Sequence, residues 1–180
     1  MTPRGKQSTQ KQQTGSFWPR TMLYEGLGIV LISVAIFLLL TLLTFHPDDP
    51  SFNQTGSEVV RNGAGLFGAY LADILLQILG YAAGGLVVLF GVSGIQLFRN
   101  PGITFWEKIV AVLMLTVASA ILSTLLLEKG GGGLPSGAGG LLGLFGAETL
   151  RRLLGPLGAL VLLATILILG LMILTRFSLL

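Results

Sequence analysis

Hydrophobic residues fall in long blocks along the chain, separated by short polar stretches, and not at an amphipathic spacing. The first block, Gly26 to Phe45, is twenty residues without a charge. At about 1.5 Å per helical residue it matches a hydrocarbon core of about 30 Å, so a first membrane span is predicted at 26–45. Pro47, Asp48, Asp49 and Pro50 then stop the apolar run. Proline cannot continue a helix, and paired carboxylates are costly in hydrocarbon. This is a hard exit from a membrane.

A polar loop follows, and then Gly63 to Phe98, interrupted only by Asp73, Gln77 and Gln96. Thirty-six residues exceed one upright span. The pattern therefore predicts an interfacial approach over 63–72 and a second span over 74–98. Gly80, Gly84 and Gly91 recur on roughly one face of that span, where small residues let helices approach closely. Arg99-Asn100-Pro101-Gly102 predicts a turn, and Ile109 to Leu127 a third span. Thr116, Ala120 and Thr124 repeat every four residues along it, a small stripe suited to helix packing. The glycine-rich Gly130 to Gly146 segment predicts a flexible loop or a shallow interfacial segment, and Leu141 to Leu154 a short amphipathic surface helix. Gly155-Pro156 opens a fourth span at 157–174, since proline suits a helix's first turn.

The fold class is thus all-α and integral to a membrane: four spanning helices, with short interfacial helices before spans two and four. Composition agrees. Only 11% of residues are charged and mean hydropathy is +0.83, against about 25% charge in soluble domains. Residues 1–21 are polar and basic, with too little apolar surface to fold, and form a disordered tail. Span one is too long for a secretory signal's apolar core and lacks a small-residue cleavage site. With the amino terminus in the cytoplasm, Arg4, Lys6, Lys11, Arg20, Arg99, Lys108 and Arg176 lie inside. Arg61, Lys129, Arg151 and Arg152 lie outside. That imbalance follows the positive-inside rule, so both termini are cytoplasmic. Residues 46–73 and 128–156 are then the two external loops.

Little in the chain carries chemistry. Gly91-Val92-Ser93-Gly94 matches the pattern of rhomboid-type intramembrane serine proteases, but its only candidate base is His46, at the far end of span one. The run Gly130 to Gly137 lacks the Gly-Lys-Ser/Thr of a phosphate-binding loop. His46, Asp48 and Asp49 offer too few oxygens for a hard cation, and point to capping and turn formation. Asp73 is a functional candidate if it lies at depth in the membrane, but is read here as a helix-start residue at the outer interface that stabilises the helix dipole. Without cysteine there are no disulfides or thiolate sites. No enzyme activity, cofactor or metal is assigned, and no train of charges marks an ion path.

Phe45-His46-Pro47-Asp48-Asp49-Pro50-Ser51-Phe52 and Gly65-Leu66-Phe67-Gly68-Ala69-Tyr70-Leu71-Ala72-Asp73 resemble the amino-terminal membrane domain of the FtsK/SpoIIIE family of bacterial DNA translocases. There a basic tail precedes four spans, and the first external loop carries a similar Pro-x-Asp-Pro block. The resemblance covers about Leu23 to Leu174. It marks Pro47, Asp48, Asp49, Pro50, Gly68 and Asp73 as motif positions of structural character. It implies an inner-membrane anchor at the division septum that associates with itself and with other division proteins. It also implies that DNA is bound by a motor and a winged-helix module absent from these residues, which fits the abrupt end at Leu180. A small transporter or channel subunit and an intramembrane hydrolase are the competing readings.

Overall fold

The computed structural model describes residues 20–52, 59–99, 105–127, 134 and 136–175. The tail at 1–19, most of the turn after Arg99, the glycines 130–133 and Arg176 lie outside the described residues. Among the described residues there are five α-helices in chain order: α1 Arg20–Leu43, α2 Gly65–Leu79, α3 Ala83–Arg99, α4 Phe105–Leu126 and α5 Gly140–Thr175. Four stretches are long and apolar enough to cross a membrane. Large side chains such as Ile29, Ile36, Leu113 and Val161 are exposed on their outsides, as expected where the solvent is hydrocarbon.

α1 and α3 form an antiparallel pair whose register is fixed by glycine. A Cβ on Gly94 would lie 2.7 Å from Ile32 Cγ1 and 2.9 Å from the Gly28 carbonyl oxygen. A Cβ on Gly28 would lie 2.9 Å from the Phe98 ring. Nearer the loop side, Gly91 meets Ala35 at ordinary contact distance. Without a hydrophobic force between helices in lipid, such close packing is a main source of association. α3, with 17 residues, is about 25 Å long and supplies the second crossing.

This differs from the expected layout. The apolar stretch at 65–98 does not break between Ala72 and Asp73 but at Gly80–Ala82, a single 3₁₀ turn. Gly80 adopts φ 57°, ψ −137°, a conformation that is costly for residues with a Cβ. Gly80 therefore does not share a continuous helix face with Gly84 and Gly91, which both lie on α3. Gly84 is exposed, with nothing within 4 Å of a Cβ placed on it. Asp73 is likewise not at a helix start. It sits in the middle of α2, 6% exposed, too far from the first turn for the helix dipole to account for it.

α2 instead runs across the loop-side end of the bundle, from the end of α1 to the segment before α5. Asn62 and Gly63, just before it, bond to Thr41 of α1 and to Thr44 just past α1, while Ile78 near its end adjoins Gly140 and Gly80 just beyond it adjoins Ala138. Tyr81 N–H donates to the Ala138 carbonyl at 2.8 Å, and the Ser123 hydroxyl donates to the same oxygen at 3.3 Å. That carbonyl is where the α1–α3 hairpin meets the α4–α5 hairpin.

The second hairpin repeats the plan of the first. α5 is bent at Gly155 (φ 70°, ψ 172°), which separates residues 140–154 from the spanning limb that begins at Pro156. The crossing segments also match in sequence at a constant offset. Gly65-Leu66-Phe67-Gly68 recurs as Gly140-Leu141-Leu142-Gly143, Ala72-Asp73 as Ala147-Glu148, and Leu79-Gly80 as Leu154-Gly155. Each hairpin is thus a spanning helix, a loop, a short crossing helix between two positive-φ glycines, and a second spanning helix.

The α1–α3 seam generates a direct test. Gly94→Ala is expected to lower stability by about 1–3 kcal/mol, because a well-packed seam resists an added methyl. Gly84→Ala is expected to leave stability unchanged or raise it by up to about 1 kcal/mol, the propensity gain of alanine over glycine. Thermal unfolding in detergent checks both. A silent Gly94→Ala beside a damaging Gly84→Ala would reverse the assignment.

Candidate functional site

The polar residues with defined partners concentrate at the loop-side end, where the stretch after α1 doubles back to start α2. Asp49 is the centre of it. After the turn closed by Asp49 N–H on the His46 carbonyl (3.1 Å), its side chain points inward and is 3% exposed. Oδ1 accepts the Arg61 N–H at 2.8 Å and Oδ2 the Asn62 N–H at 2.9 Å. Two backbone donors on one ionised carboxylate make the strong, charge-assisted class of hydrogen bond.

Asn62 carries the constraint onward. Its Nδ2 donates to the Thr41 carbonyl at 2.9 Å, and its Oδ1 accepts the Ala64 N–H at 2.9 Å. The Gly65 N–H closes on the Asn62 carbonyl at 2.9 Å. The Gly63 N–H donates to Thr44 Oγ1 at 2.8 Å, while that hydroxyl donates to the Leu40 carbonyl at 2.6 Å. Carbonyls at the end of α1 and amides before α2 would otherwise be left without helical partners. Gly68 fits the same knot: a Cβ there would lie 2.5 Å from Asn62 Oδ1.

Asp48 faces the other way. It is exposed and forms a loose cluster with His46 and Arg61: His46 Nδ1 at 3.6 Å and Arg61 Nη1 at 3.9 Å. Arg61 Nη1 also donates to His46 Nε2 at 2.9 Å. Because Asp48 and Asp49 diverge, they do not converge on a common point. Among the described residues no three His, Asp or Glu side chains come together as a metal site. Pro47 is exposed and Pro50 half-buried, bracketing the turn. Phe52 lies edge-on to Tyr70 of α2, ring centroids 4.9 Å apart, and Phe67 approaches Phe37 of α1 at 5.9 Å.

Asp73 lies further along α2, where Gln77 Nε2 donates to its Oδ2 at 2.8 Å. In the second hairpin, Thr116 and Ala120 are buried and Thr124 half-buried. Gly139 and Gly143 press against Ala120 and Thr124 so closely that neither position has room for a Cβ. Ser93 stands on α3 beside the Gly94–Ile32 contact. It is therefore about 16 Å, eleven helical residues, below the end of α1, and His46 lies beyond that end. The two are not brought together.

Sequence reasoning missed Asn62, Thr41, Gly28 and Gly143. Asn62 bonds through its side-chain amide to backbone atoms and Thr41 accepts through its carbonyl, contacts that leave no spacing signature. The glycines had one signal that went unused, the recurrence of the crossing segment.

Comparison with known proteins gives a consistent result. Residues 20–180 match a family profile described as the 4TM region of DNA translocase FtsK/SpoIIIE. A DNA translocase FtsK of Pseudomonas syringae is 30% identical over 185 residues, covering 96% of this chain and 23% of that relative. DNA translocase FtsK of Pseudomonas putida is 32% identical, covering 87% of the chain and 20% of the relative. DNA translocase FtsK 1 of Neisseria meningitidis is 30% identical, covering 94% and 22%. The chain spans less than a quarter of the length of these curated relatives. No solved structure matches it.

The two neighbouring aspartates make contrasting variants. Asp49→Ala removes the side-chain acceptors of two backbone amides and is expected to cost about 3 kcal/mol, since hydrogen bonds to a charged group contribute about 1.5–3 kcal/mol each and buried donors are left open. Asp48→Ala, at an exposed site, is expected to stay within about 0.5 kcal/mol. Chemical unfolding of the two variants in detergent distinguishes them, and equal effects would refute the clamp.

Proposed function

The chain belongs to the family of the four-span membrane region of FtsK/SpoIIIE DNA translocases, and from that membership we propose that it anchors and assembles a cell-division DNA translocase. The observation that carries this reading is the family match at residues 20–180, which takes in all four apolar stretches long enough to span a membrane. In this reading the segment is not an enzyme and does not touch DNA. Translocation would belong to a motor outside these residues. Its role is to hold the machine in the inner membrane at the septum, through self-association and contacts with other division proteins.

The proposed orientation places both termini in the cytoplasm and the His46 to Phe52 loop outside, supported by the excess of Lys and Arg on the inner segments. The Asp49 clamp then works at the outer boundary, where it gives division partners a defined surface instead of a loose loop. Exposed Phe52 and Phe67 lie on that side, and aromatic anchors of this kind suit protein contacts.

Two experiments test the proposal. A fluorescent fusion is expected to concentrate at the septum of dividing cells, and uniform membrane fluorescence would count against the division role. Because the chain has no cysteine, Asp48→Cys introduces a unique thiol on the exposed side of the clamp. Intact cells are expected to label it with a membrane-impermeant maleimide. Labelling only after permeabilisation would invert the topology.

A further inference from the structure

The two crossing helices are repeats of one another, yet they leave different spaces around them. In the first hairpin, Leu66, Phe67, Tyr70, Leu71 and Ile74 border a small groove of about 420 Å³, walled on one side by Phe52. Their counterparts Leu141, Leu142, Phe145, Gly146 and Thr149 roof a groove of about 880 Å³. Its walls are α4, through Leu113 and Val117, and the spanning limb of α5, through Leu162 and Ile166. Thr149 is the one hydroxyl in this lining, and it donates to the Phe145 carbonyl at 2.8 Å. The groove therefore asks for no polar partner.

From this repeat comparison we infer that the groove under residues 140–154 seats one acyl chain of a phospholipid whose headgroup carries both a phosphate and an ammonium. The wall on α4 runs from Leu113 to Ile121, about 12 Å at 1.5 Å per residue. That is close to half of a hydrocarbon core of about 30 Å, one leaflet, and too short for a partner's spanning helix. An apolar groove open sideways to hydrocarbon stays dry, and a lipid tail enters it without desolvating anything polar.

The headgroup assignment rests on a second contrast between the repeats. Asp73 and Gln77, on α2, form a polar pair whose aspartate is buried. The equivalent positions are Glu148 and Arg152, an ion pair with both side chains well exposed. Phe145, Glu148, Thr149 and Arg152 recur at three- and four-residue spacing and so share one edge of the helix. That edge puts a cation and an anion beside the mouth of the groove. Arg152 suits a phosphate and Glu148 an ammonium, whereas a headgroup with negative charge only would oppose Glu148. The site does not depend on septal location or on division partners.

Native mass spectrometry of the full chain released from nanodiscs of mixed phosphatidylethanolamine and phosphatidylglycerol tests the assignment. One retained phosphatidylethanolamine is expected. Val117→Trp, which fills the groove, is expected to reduce retention about tenfold. Ile36→Trp on the lipid-facing side of α1 is expected to leave it unchanged. The double variant Glu148→Gln, Arg152→Gln is expected to keep a lipid but lose the preference for phosphatidylethanolamine. Equal retention in Val117→Trp and Ile36→Trp would overturn the site as ordinary annular lipid. A photoreactive residue at Met114 in the otherwise unchanged chain gives an independent readout. A lipid adduct is expected, and a polypeptide adduct would replace the lipid by a protein occupant and overturn the proposal.

Discussion

One buried carboxylate settles how the chain turns at the membrane boundary. Asp49 takes the amides of Arg61 and Asn62, and Asn62 takes the last turns of α1 and the first turn of α2. In water these groups have a solvent to bond, but near hydrocarbon each unsatisfied one costs several kcal/mol. A loop that leaves the bilayer and returns at once must therefore close its own hydrogen bonds. The start of α2, and through it the Gly80 joint to the second hairpin, depends on that closure.

Glycine provides the complementary constraint. At Gly28 and Gly94 it removes side-chain bulk so that two spanning helices approach closely. At Gly80 and Gly155 it takes a backbone conformation that lets a crossing helix turn sharply into a spanning one. These are different physical uses of the same residue. They explain how two apolar stretches, each longer than one span, resolve into a crossing helix and a spanning helix.

The same ambiguity explains what the sequence makes legible and what it hides. Apolar blocks and their charged or proline-bearing ends carry a strong signal, so the four spans and the family are readable from residues such as Pro47 to Pro50. The small stripe Thr116, Ala120, Thr124 is also visible as a periodicity, although its neighbours Gly139 and Gly143 are not. Gly80 misleads, because a glycine inside an apolar run looks the same whether it packs a face or breaks a helix. Asp73 misleads because a lone charge suggests an interface, whereas here Gln77 pairs with it in a buried setting. The duplication of the crossing segment is written in the sequence, but its meaning comes from the paired bends at Gly80 and Gly155.

The central claim is that the loop signature acts as a structural clamp. Hydrogen–deuterium exchange at the Arg61 and Asn62 amides, with the protein in nanodiscs, measures this most directly. The clamp predicts that both amides exchange as slowly as those inside α2, despite lying in a loop. Exchange at the rate of an open, solvated loop would contradict it.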